Sequence, residues 1–387
     1  MKFIGKIWTS AASHRKFLIL FFTLAGLAAA GWLLSLNTAF ADFWTDNVYP
    51  IICRGLTAVT GRLPFALGEV LMYLGALLVL LVPLLGIICI FLRKKKGYTK
   101  FYGGYMRTFA CICGAVLLVY TTNWLIPYRS SVMGRKDFVT GKKYTSRELR
   151  VLYFYIVDNL NESCRDMPRD EEGTAVFHEK AEAEKLAGQA LNDISHEFPR
   201  LKGSYPPIKE AFCSDVLDWM WIGGFTYPYT METTMNKYTD RMYFPTLYAH
   251  ESAHHMGYYK EHEANFISYL ACSQSDDVSL RYSAYSEMYD YVFDAYFTAL
   301  IAENADDSAY EEIDDHPVMQ QYFEDLYHQS DLVAEVYNED DHALEEYSDV
   351  AADAAEVGWE TQSEVLEEYD YDYVVTLLLE YYDGVLY

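Results

Sequence analysis

The sequence predicts a mainly α-helical protein, with transmembrane helices near its N-terminus and a mostly helical α+β domain after them. Three observations lead to this prediction. Three long apolar runs follow one another in the first third of the chain. The two parts of the chain carry opposite charge, and helical periodicity dominates the second part. We therefore divide the 387 residues into a membrane domain, 1–127, and a second domain, 128–387.

Each apolar run is long enough to cross a bilayer. The runs cover about residues 17–36, 65–92 and 108–126. Basic residues precede the first run and fill the connection "RKKKGYTK" between the second and third. Because basic connections stay in the cytoplasm, we expect a multi-pass plasma-membrane protein with a cytoplasmic N-terminus. The second domain is then extracytoplasmic, and the lipid bilayer is one partner of the protein.

The segment "TAFADF" after the first run offers a signal-peptidase-like site at Ala39 and Ala41. A 20-residue apolar run is long for a signal peptide. We therefore expect the first run to be an uncleaved membrane anchor.

Charge is distributed very unevenly along the chain. Residues 1–127 contain 12 Lys and Arg against three acids, whereas the remainder contains 18 against 53. A surface as acidic as that of the second domain repels nucleic acid, so we exclude nucleic acid as a partner. The seven cysteines form no CxxC pair, which disfavours a thiolate zinc site or a redox motif.

The second domain begins with a predicted helix, because Thr145 and Glu148 have the spacing of a capping box. The segment "WMWIGGFTYPYTMETTMN" is aromatic and β-branched, and it predicts one or two short strands with a turn. Helical patterns return from about Pro245 to Cys272, and again from about Tyr282 to the end.

The segment "YAHESAHHMGYYKEHEANF" contains the strongest chemical signal in the sequence. His250 and His254 form an HExxH motif with Glu251. Residues four apart lie on one face of a helix, so the two imidazoles can bind one zinc ion. Glu251 points elsewhere around the helix, which suits a general base beside the metal. Gly257 is expected to end this helix.

A catalytic zinc site requires a third protein ligand, and the next predicted helix offers candidates. Glu261 is favoured, because Asn265 one turn later could then hydrogen-bond a ligand histidine from the second shell. This arrangement resembles the E-x-x-A-[DN] pattern that follows HExxH in several zinc peptidase families. Glu263 is the alternative if the turn is longer, and His262 is a third candidate. His255 is expected to be a partly exposed polar residue.

Beyond this motif, the sequence resembles the DUF3810 family, bacterial membrane proteins of unassigned function with a zincin-like HExxH core. The resemblance rests on "HESAHHMGYYKEHEANFISYLAC", on "GRLPFALGEVLMY" at 61–73 and on "GGFTYPYTMETTMN" at 223–236. It extends from about residue 50 to the end. The segment "WETQSEVLEEYDYDYVV" departs from it, since the resemblance implies a more basic helix there. The resemblance implies a zincin-like fold for the second domain.

The expected function is zinc-dependent hydrolysis of a peptide or protein outside the cytoplasm, with Glu251 as the general base for a zinc-activated water. Tyr227, Tyr229 and Thr230 lie in the predicted strand segment, where an extended substrate could add by backbone hydrogen bonds. Two alternatives remain open. The domain could be a non-catalytic zinc-binding sensor or scaffold, or the protein could cleave substrates within the membrane. The polar character of the HExxH segment disfavours the second alternative.

Overall fold

The computed structural model describes residues 14–134, 144–339, 348–366 and 373–387. The fold is mainly helical, as predicted, and its N-terminal part consists of apolar helices. The chain divides into two compact units. The first comprises Met1–Ser131 together with Tyr227–Glu232, and the second comprises Val132–Thr226 and Thr233–Tyr387. The sequence-based division had placed residues 227–232 in the second domain.

The first unit contains helices joined by short turns. Its α-helices are α1 (Arg15–Ser35), α2 (Thr38–Phe43), α3 (Tyr49–Thr60), α4 (Leu67–Leu92), α5 (Lys96–Tyr120) and α6 (Ile126–Tyr128). Wider π-helical turns at Trp44–Val48 and Thr121–Leu125 connect α2 to α3 and α5 to α6.

Three helices among the described residues are long and apolar enough to cross a membrane: Arg15–Ser35, Leu67–Leu92 and Gly97–Tyr128. The first two closely match the predicted runs. The third begins within the basic connection "RKKKGYTK", well before the predicted start at residue 108. The polar and aromatic residues there remain helical, because their hydroxyl groups pack against the neighbouring helix.

Tyrosines on α5 connect it to α4. Each donates a hydrogen bond to a backbone carbonyl: Tyr98 to Leu85, Tyr102 to Val82 and Tyr105 to Leu78. The donors are spaced three and four residues apart, so they lie on one helix face. In an apolar environment this satisfies the phenol groups without water.

Residues 227–232 belong to the first unit through specific hydrogen bonds. The buried Glu232 carboxylate accepts from the backbone N–H groups of Leu67 (3.1 Å) and Gly68 (2.9 Å), and so caps the start of α4. Asn123 donates to the carbonyl of Pro228 at 2.8 Å. The Glu232 carboxylate thus satisfies N–H groups at the start of α4 that have no partner within the helix.

The second unit is a helical domain with one small sheet. Its helices are α7 (Ser146–Asp166), α8 (Lys180–Asp193), α9 (Ser214–Trp219), α10 (Phe244–His255), α11 (Glu261–Ser273), α12 (Val278–Glu303), α13 (Asp307–Asp315), α14 (Gln320–Glu339), α15 (Ser348–Leu366) and α16 (Tyr373–Tyr382). The predicted capping box of Thr145 and Glu148 opens α7. Part of the segment that departs from the family resemblance, 367–372, lies outside the described residues.

The sheet contains three short strands: β1 (Lys209–Glu210), β2 (Gly224–Tyr227) and β3 (Glu232–Met235). Their spatial order is β1-β3-β2, and β1 pairs with β3 in parallel. Strand β2 therefore lies at an edge of the sheet.

Helix α11 lies at the centre of the second unit. Every residue from His262 to Ser273 is buried, including several polar ones. Aromatic side chains fill the surrounding core. Tyr153 of α7 packs against Tyr296 of α12, with ring centroids 5.5 Å apart. Because buried polar groups require partners, the polar residues of α11 indicate a site with specific contacts.

A buried ion pair stabilises the second unit away from α11. The carboxylate of Asp325, 2% exposed, accepts from both terminal nitrogens of Arg169 at 2.8 and 2.9 Å. It also accepts from the hydroxyl of Tyr282 at 2.8 Å. The three groups connect the segment after α7 to α12 and α14.

Candidate metal centre

The HExxH residues lie on α10, which begins with Pro245 in its first turn. This position suits proline, since the first N–H groups of a helix have no partner within it. The helix ends before Gly257, whose φ of 97° requires a left-handed conformation. The chain turns at once into α11, as predicted. The turn is closed by the N–H of Tyr258, which donates to the carbonyl of Ala253 at 3.0 Å.

The turn brings Glu261 to the two histidines of the motif. Glu261 Oε2 lies 3.2 Å from His250 Nε2, and Oε1 lies 3.6 Å from His254 Nε2. One ligand atom from each residue lies within 4.8 Å of the others. Ligand atoms bound to tetrahedral zinc at about 2.0–2.1 Å are roughly 3.4 Å apart. The three side chains therefore fit a zinc ion, which would require only small adjustments.

The two other candidate ligands face elsewhere. The carboxylate of Glu263 accepts from the backbone N–H of Met133 at 2.7 Å and lies 3.6 Å from Lys260 Nζ. His262 is buried against the ring of Tyr373, with centroids 4.7 Å apart. Of the alternatives left open by the sequence, the structure brings Glu261 to the histidine pair.

His254 is held by the turn as well as by Glu261. Its Nδ1 lies 2.7 Å from the carbonyl oxygen of Tyr258, which can only accept a hydrogen bond. Nδ1 therefore carries the proton, and Nε2 faces the cluster. Burial alone would lower the pKa of His254, but the charge of Glu261 and its hydrogen bond raise that pKa to about 9. The histidines lower the pKa of Glu261 despite its burial.

Glu251 lies beside the cluster and is 4% exposed. Its Oε2 accepts a hydrogen bond from the hydroxyl of Thr226 on β2 at 3.0 Å. The Thr226 hydroxyl is also 3.1 Å from that of Thr233 on β3. Burial raises the pKa of Glu251, whereas the neighbouring histidines and Thr226 lower it. The sheet thus positions the carboxylate that the sequence predicts as a base.

Strand β2 approaches Glu251 closely at Gly224. A Cβ atom at this position would lie 2.8 Å from Cγ and Oε1 of Glu251. Only glycine fits there without displacing the carboxylate. Gly224 and Thr226 were not predicted as site residues, although both lie in the segment predicted to contain strands and a turn.

The predicted substrate strand is shortened in the structure. Tyr227 is the last residue of β2, whereas Tyr229 and Thr230 lie in the turn that follows. Pro228 has no N–H for a sheet hydrogen bond, so pairing stops before it. All three predicted residues belong to the first compact unit, whereas Gly224 and Thr226 belong to the unit that holds the histidines.

The role expected for Asn265, a hydrogen bond to a ligand histidine, stays a prediction. Asn265 is buried on α11, and its side chain lowers the pKa of Tyr291 on α12. Burial, followed by the charges of Glu287 and Glu261, raises the pKa of Tyr291 to about 12. Tyr291 is therefore a neutral phenol, and no signal in the sequence distinguished it from the other tyrosines.

The expected exposure of His255 is wrong. The residue is 3% exposed, and burial lowers its pKa to about 4. The reason is that α10 is packed on several sides, so the face opposite the HExxH pair also contacts the core.

A family model described as "Protein of unknown function (DUF3810)" matches residues 44–361. This chain belongs to the DUF3810 family. The matched region includes the histidine pair, Glu251 and Glu261, and it ends before α16. No curated protein and no solved structure gave a significant match. Membership of the DUF3810 family thus assigns relatives to this chain but no reaction.

Proposed function

We propose that this protein is a membrane-anchored zinc metallopeptidase that hydrolyses peptide bonds outside the cytoplasm. One observation carries the proposal. His250, His254 and Glu261 converge in a geometry that fits zinc, while Glu251 lies beside them in a separate hydrogen bond. Three ligands and an adjacent carboxylate that does not ligate are typical of catalytic zinc sites, whereas structural sites favour closed Cys/His shells.

The donor set supports zinc as the cofactor. Two neutral imidazoles and one carboxylate leave a fourth position for water. When bound, zinc would lower the pKa of that water and polarise the scissile carbonyl. The residues of the chain then perform the proton transfers.

Glu251 is the proposed general base and acid. One carboxylate oxygen is held by Thr226, and the other is available to take a proton from the attacking water. Glu251 would then deliver that proton to the leaving amine, so the carboxylate is regenerated in each cycle. Tyr291 of α12 is a neutral phenol whose pKa is raised in part by the charge of Glu261, and we propose it as a donor to the oxygen that becomes negative in the transition state.

The proposed location follows from the apolar helices and the basic residues. Arg93, Lys94 and Lys95 form the connection between α4 and α5, which the positive-inside rule assigns to the cytoplasm. The basic residues Lys2 and Lys6 lie outside the described residues. A multi-pass plasma-membrane protein with its second unit outside the cytoplasm would meet peptide or protein substrates there.

Cleavage within the membrane is not supported by α10. This helix has 12 residues, whereas a spanning helix needs about 20. It also lies in the second compact unit, and the three apolar helices lie in the first.

Metal content of the full-length protein in detergent tests the proposal, with wild type measured beside Glu251→Gln, Glu261→Gln and Glu263→Gln. We expect about one zinc per chain in wild type, Glu251→Gln and Glu263→Gln, and loss of zinc in Glu261→Gln. Glu251→Gln should abolish hydrolysis of a quenched fluorescent peptide library while it retains zinc. Wild-type protein that binds no zinc would overturn the metal centre.

The same variants distinguish an enzyme from a zinc-binding sensor or scaffold. A scaffold would retain its cellular phenotype in Glu251→Gln, because the carboxylate makes no contribution to metal binding. An enzyme would lose the phenotype while zinc remains bound.

A further inference from the structure

Residues 227–232, which we call the connecting segment, join β2 to β3 and belong to the first unit. Hydrogen bonds from that unit bind its backbone. Thr60, the last residue of α3, donates to the carbonyl of Thr230 at 3.1 Å. Asn123, in the π-helical turn after α5, donates to the carbonyl of Pro228 at 2.8 Å. Two separate parts of the first unit therefore fix the course of the connecting segment.

The last residue of the connecting segment, Glu232, is 3% exposed and binds the start of α4. Its two carboxylate oxygens accept separately from the N–H groups of Leu67 and Gly68, at 3.1 and 2.9 Å. Helix α4 also packs closely against the first residue of the segment. A Cβ atom on Gly68 would lie 2.4 Å from Cγ of Tyr227. The start of α4 thus contacts both ends of the connecting segment.

The residues on either side of the connecting segment belong to the second unit and hold Glu251. Thr226 precedes the segment and Thr233 follows it, and their hydroxyl oxygens are 3.1 Å apart. The hydroxyl of Thr226 donates to Oε2 of Glu251 at 3.0 Å. A trans peptide keeps consecutive Cα atoms about 3.8 Å apart. A displacement of either end of the segment is therefore passed directly to one of these threonines.

We infer that the start of α4 sets the position of the general base, and that Glu232 is the positioning residue through which it does so. The inference rests on the proposed function, because Glu251 must be the base. Glu232 acts on Glu251 through Thr233 and Thr226. Proton transfer is sensitive to such placement, since a misplacement of about 1 Å reduces a rate on the order of 100-fold. The proposed metal ligands lie on α10 and α11, so zinc binding should not depend on Glu232.

Peptide hydrolysis and zinc content of the full-length protein in detergent test the inference, with Glu232→Ala measured beside wild type. We expect kcat to fall about 10-fold, because the end of the connecting segment is released from α4. The KM and the zinc content should remain those of wild type, since only the proton-transfer step is affected. Asn37→Ala is the matched control. It removes the side-chain cap of α2, another helix of the first unit, and should retain wild-type kcat.

A double-mutant cycle separates positioning from a general loss of stability. If Glu232 acts through Thr226, its replacement should have little effect in a chain that already lacks the Thr226 hydroxyl. We expect Glu232→Ala to lower kcat about 10-fold in the wild-type background but less than about twofold in Thr226→Val. Equal fold losses in the two backgrounds would overturn the inference.

Amide hydrogen exchange of the metal-free protein reports the displacement without any measurement of activity. Strands β2 and β3 should exchange faster in Glu232→Ala than in wild type, because their connection is no longer held at α4. Their exchange in Asn37→Ala should be that of wild type. Unchanged exchange of both strands in Glu232→Ala would contradict the inference.

Gly68→Ala disturbs the connecting segment without removing the Glu232 carboxylate. Its added Cβ must displace Tyr227, so we expect kcat to fall while zinc content is retained. Gly75→Ala on the same helix is the control, since nothing lies within 4 Å of its added Cβ. Wild-type kcat in either Glu232→Ala or Gly68→Ala would overturn the inference while the proposed function stands. A wild-type protein that neither binds zinc nor hydrolyses peptides would overturn the proposed function, and the inference with it.

Discussion

The hydroxyl of Thr226 lies 3.0 Å from Oε2 of Glu251 and connects strand β2 to the HExxH helix. The same hydroxyl reaches Thr233 on β3, so two strands fix its position. A carboxylate held at one oxygen keeps the other in a constant direction. Proton transfer depends on such placement more than on mere proximity.

Thr226→Val should therefore lower the catalytic rate without releasing zinc. Valine has nearly the shape of threonine but donates no hydrogen bond, and a hydrogen bond to a charged group contributes about 1.5–3 kcal/mol. We expect a loss of roughly 10- to 100-fold in peptide hydrolysis. Thr226→Ser is the matched control, because it keeps the hydroxyl. Equal rates in the valine and serine variants would contradict the role of this hydrogen bond.

Gly224→Ala should displace Glu251 by steric contact. The added Cβ would lie 2.8 Å from the carboxylate, which is closer than real Cβ atoms approach such groups. We expect hydrolysis to fall while zinc content remains that of wild type. Gly55→Ala on α3 is a suitable control, since nothing lies within 4 Å of its added Cβ. Unchanged hydrolysis in Gly224→Ala would show that Glu251 is not the base.

Asp325→Ala should strongly destabilise the second unit. It would leave the Arg169 guanidinium, 21% exposed as a side chain, without its buried carboxylate. Breaking a buried pair at one side costs about 3–5 kcal/mol. The double variant Arg169→Met/Asp325→Leu should recover much of this loss, because neither charge remains. Thermal unfolding measures both, and equal melting temperatures of the single and double variants would contradict this account.

The carboxyl group of Glu184 should make the stability of the fold depend on pH. Burial raises its pKa, although its carboxylate accepts from the N–H of Ile208 at 3.0 Å. The folded chain then holds this proton at pH values where the unfolded chain has lost it. The contribution of Glu184 to the free energy of unfolding therefore falls as the pH rises from the ordinary glutamate pKa through the raised pKa of the folded state.

Glu184→Gln removes the cost of ionising a buried carboxyl group and keeps an acceptor for the N–H of Ile208. We expect its melting temperature to exceed that of wild type at pH 7, and the difference to shrink towards pH 4. Glu182→Gln, at an exposed position of the same helix, is the control and should show little dependence. A constant difference across this pH range would exclude Glu184 as the cause.

The sequence was sufficient for much of the candidate site because its signals are local. Four-residue spacing places His250 and His254 together, and Gly257 ends their helix whatever lies around it. The choice among Glu261, Glu263 and His262 depended on the length of one turn. A difference of one or two residues there rotates the ligand to another face of α11, so only the folded turn decides it.

Other parts of the site depend on contacts between residues far apart in the chain. Thr226 and Glu251 are separated by 25 residues, and Tyr291 comes from a helix that starts after α11 has ended. Their types are common in this chain, which contains 35 tyrosines and 56 acids. Nothing in their local pattern distinguishes them. The burial of His255 also depends on distant contacts. Helical periodicity identifies an apolar face of α10, but it does not show how many sides of the helix contact the rest of the protein.

The cap of α4 determines when the first unit can be completed during synthesis of the chain. Glu232 follows Gly68 by 164 residues, yet it supplies the acceptors for the first N–H groups of that helix. During synthesis from the N-terminus, α4 is complete long before its cap exists. Water or other polar groups must satisfy those N–H groups in the meantime. The first unit therefore reaches its final form only after more than half of the chain has been translated, so maturation of the two units is coupled in time.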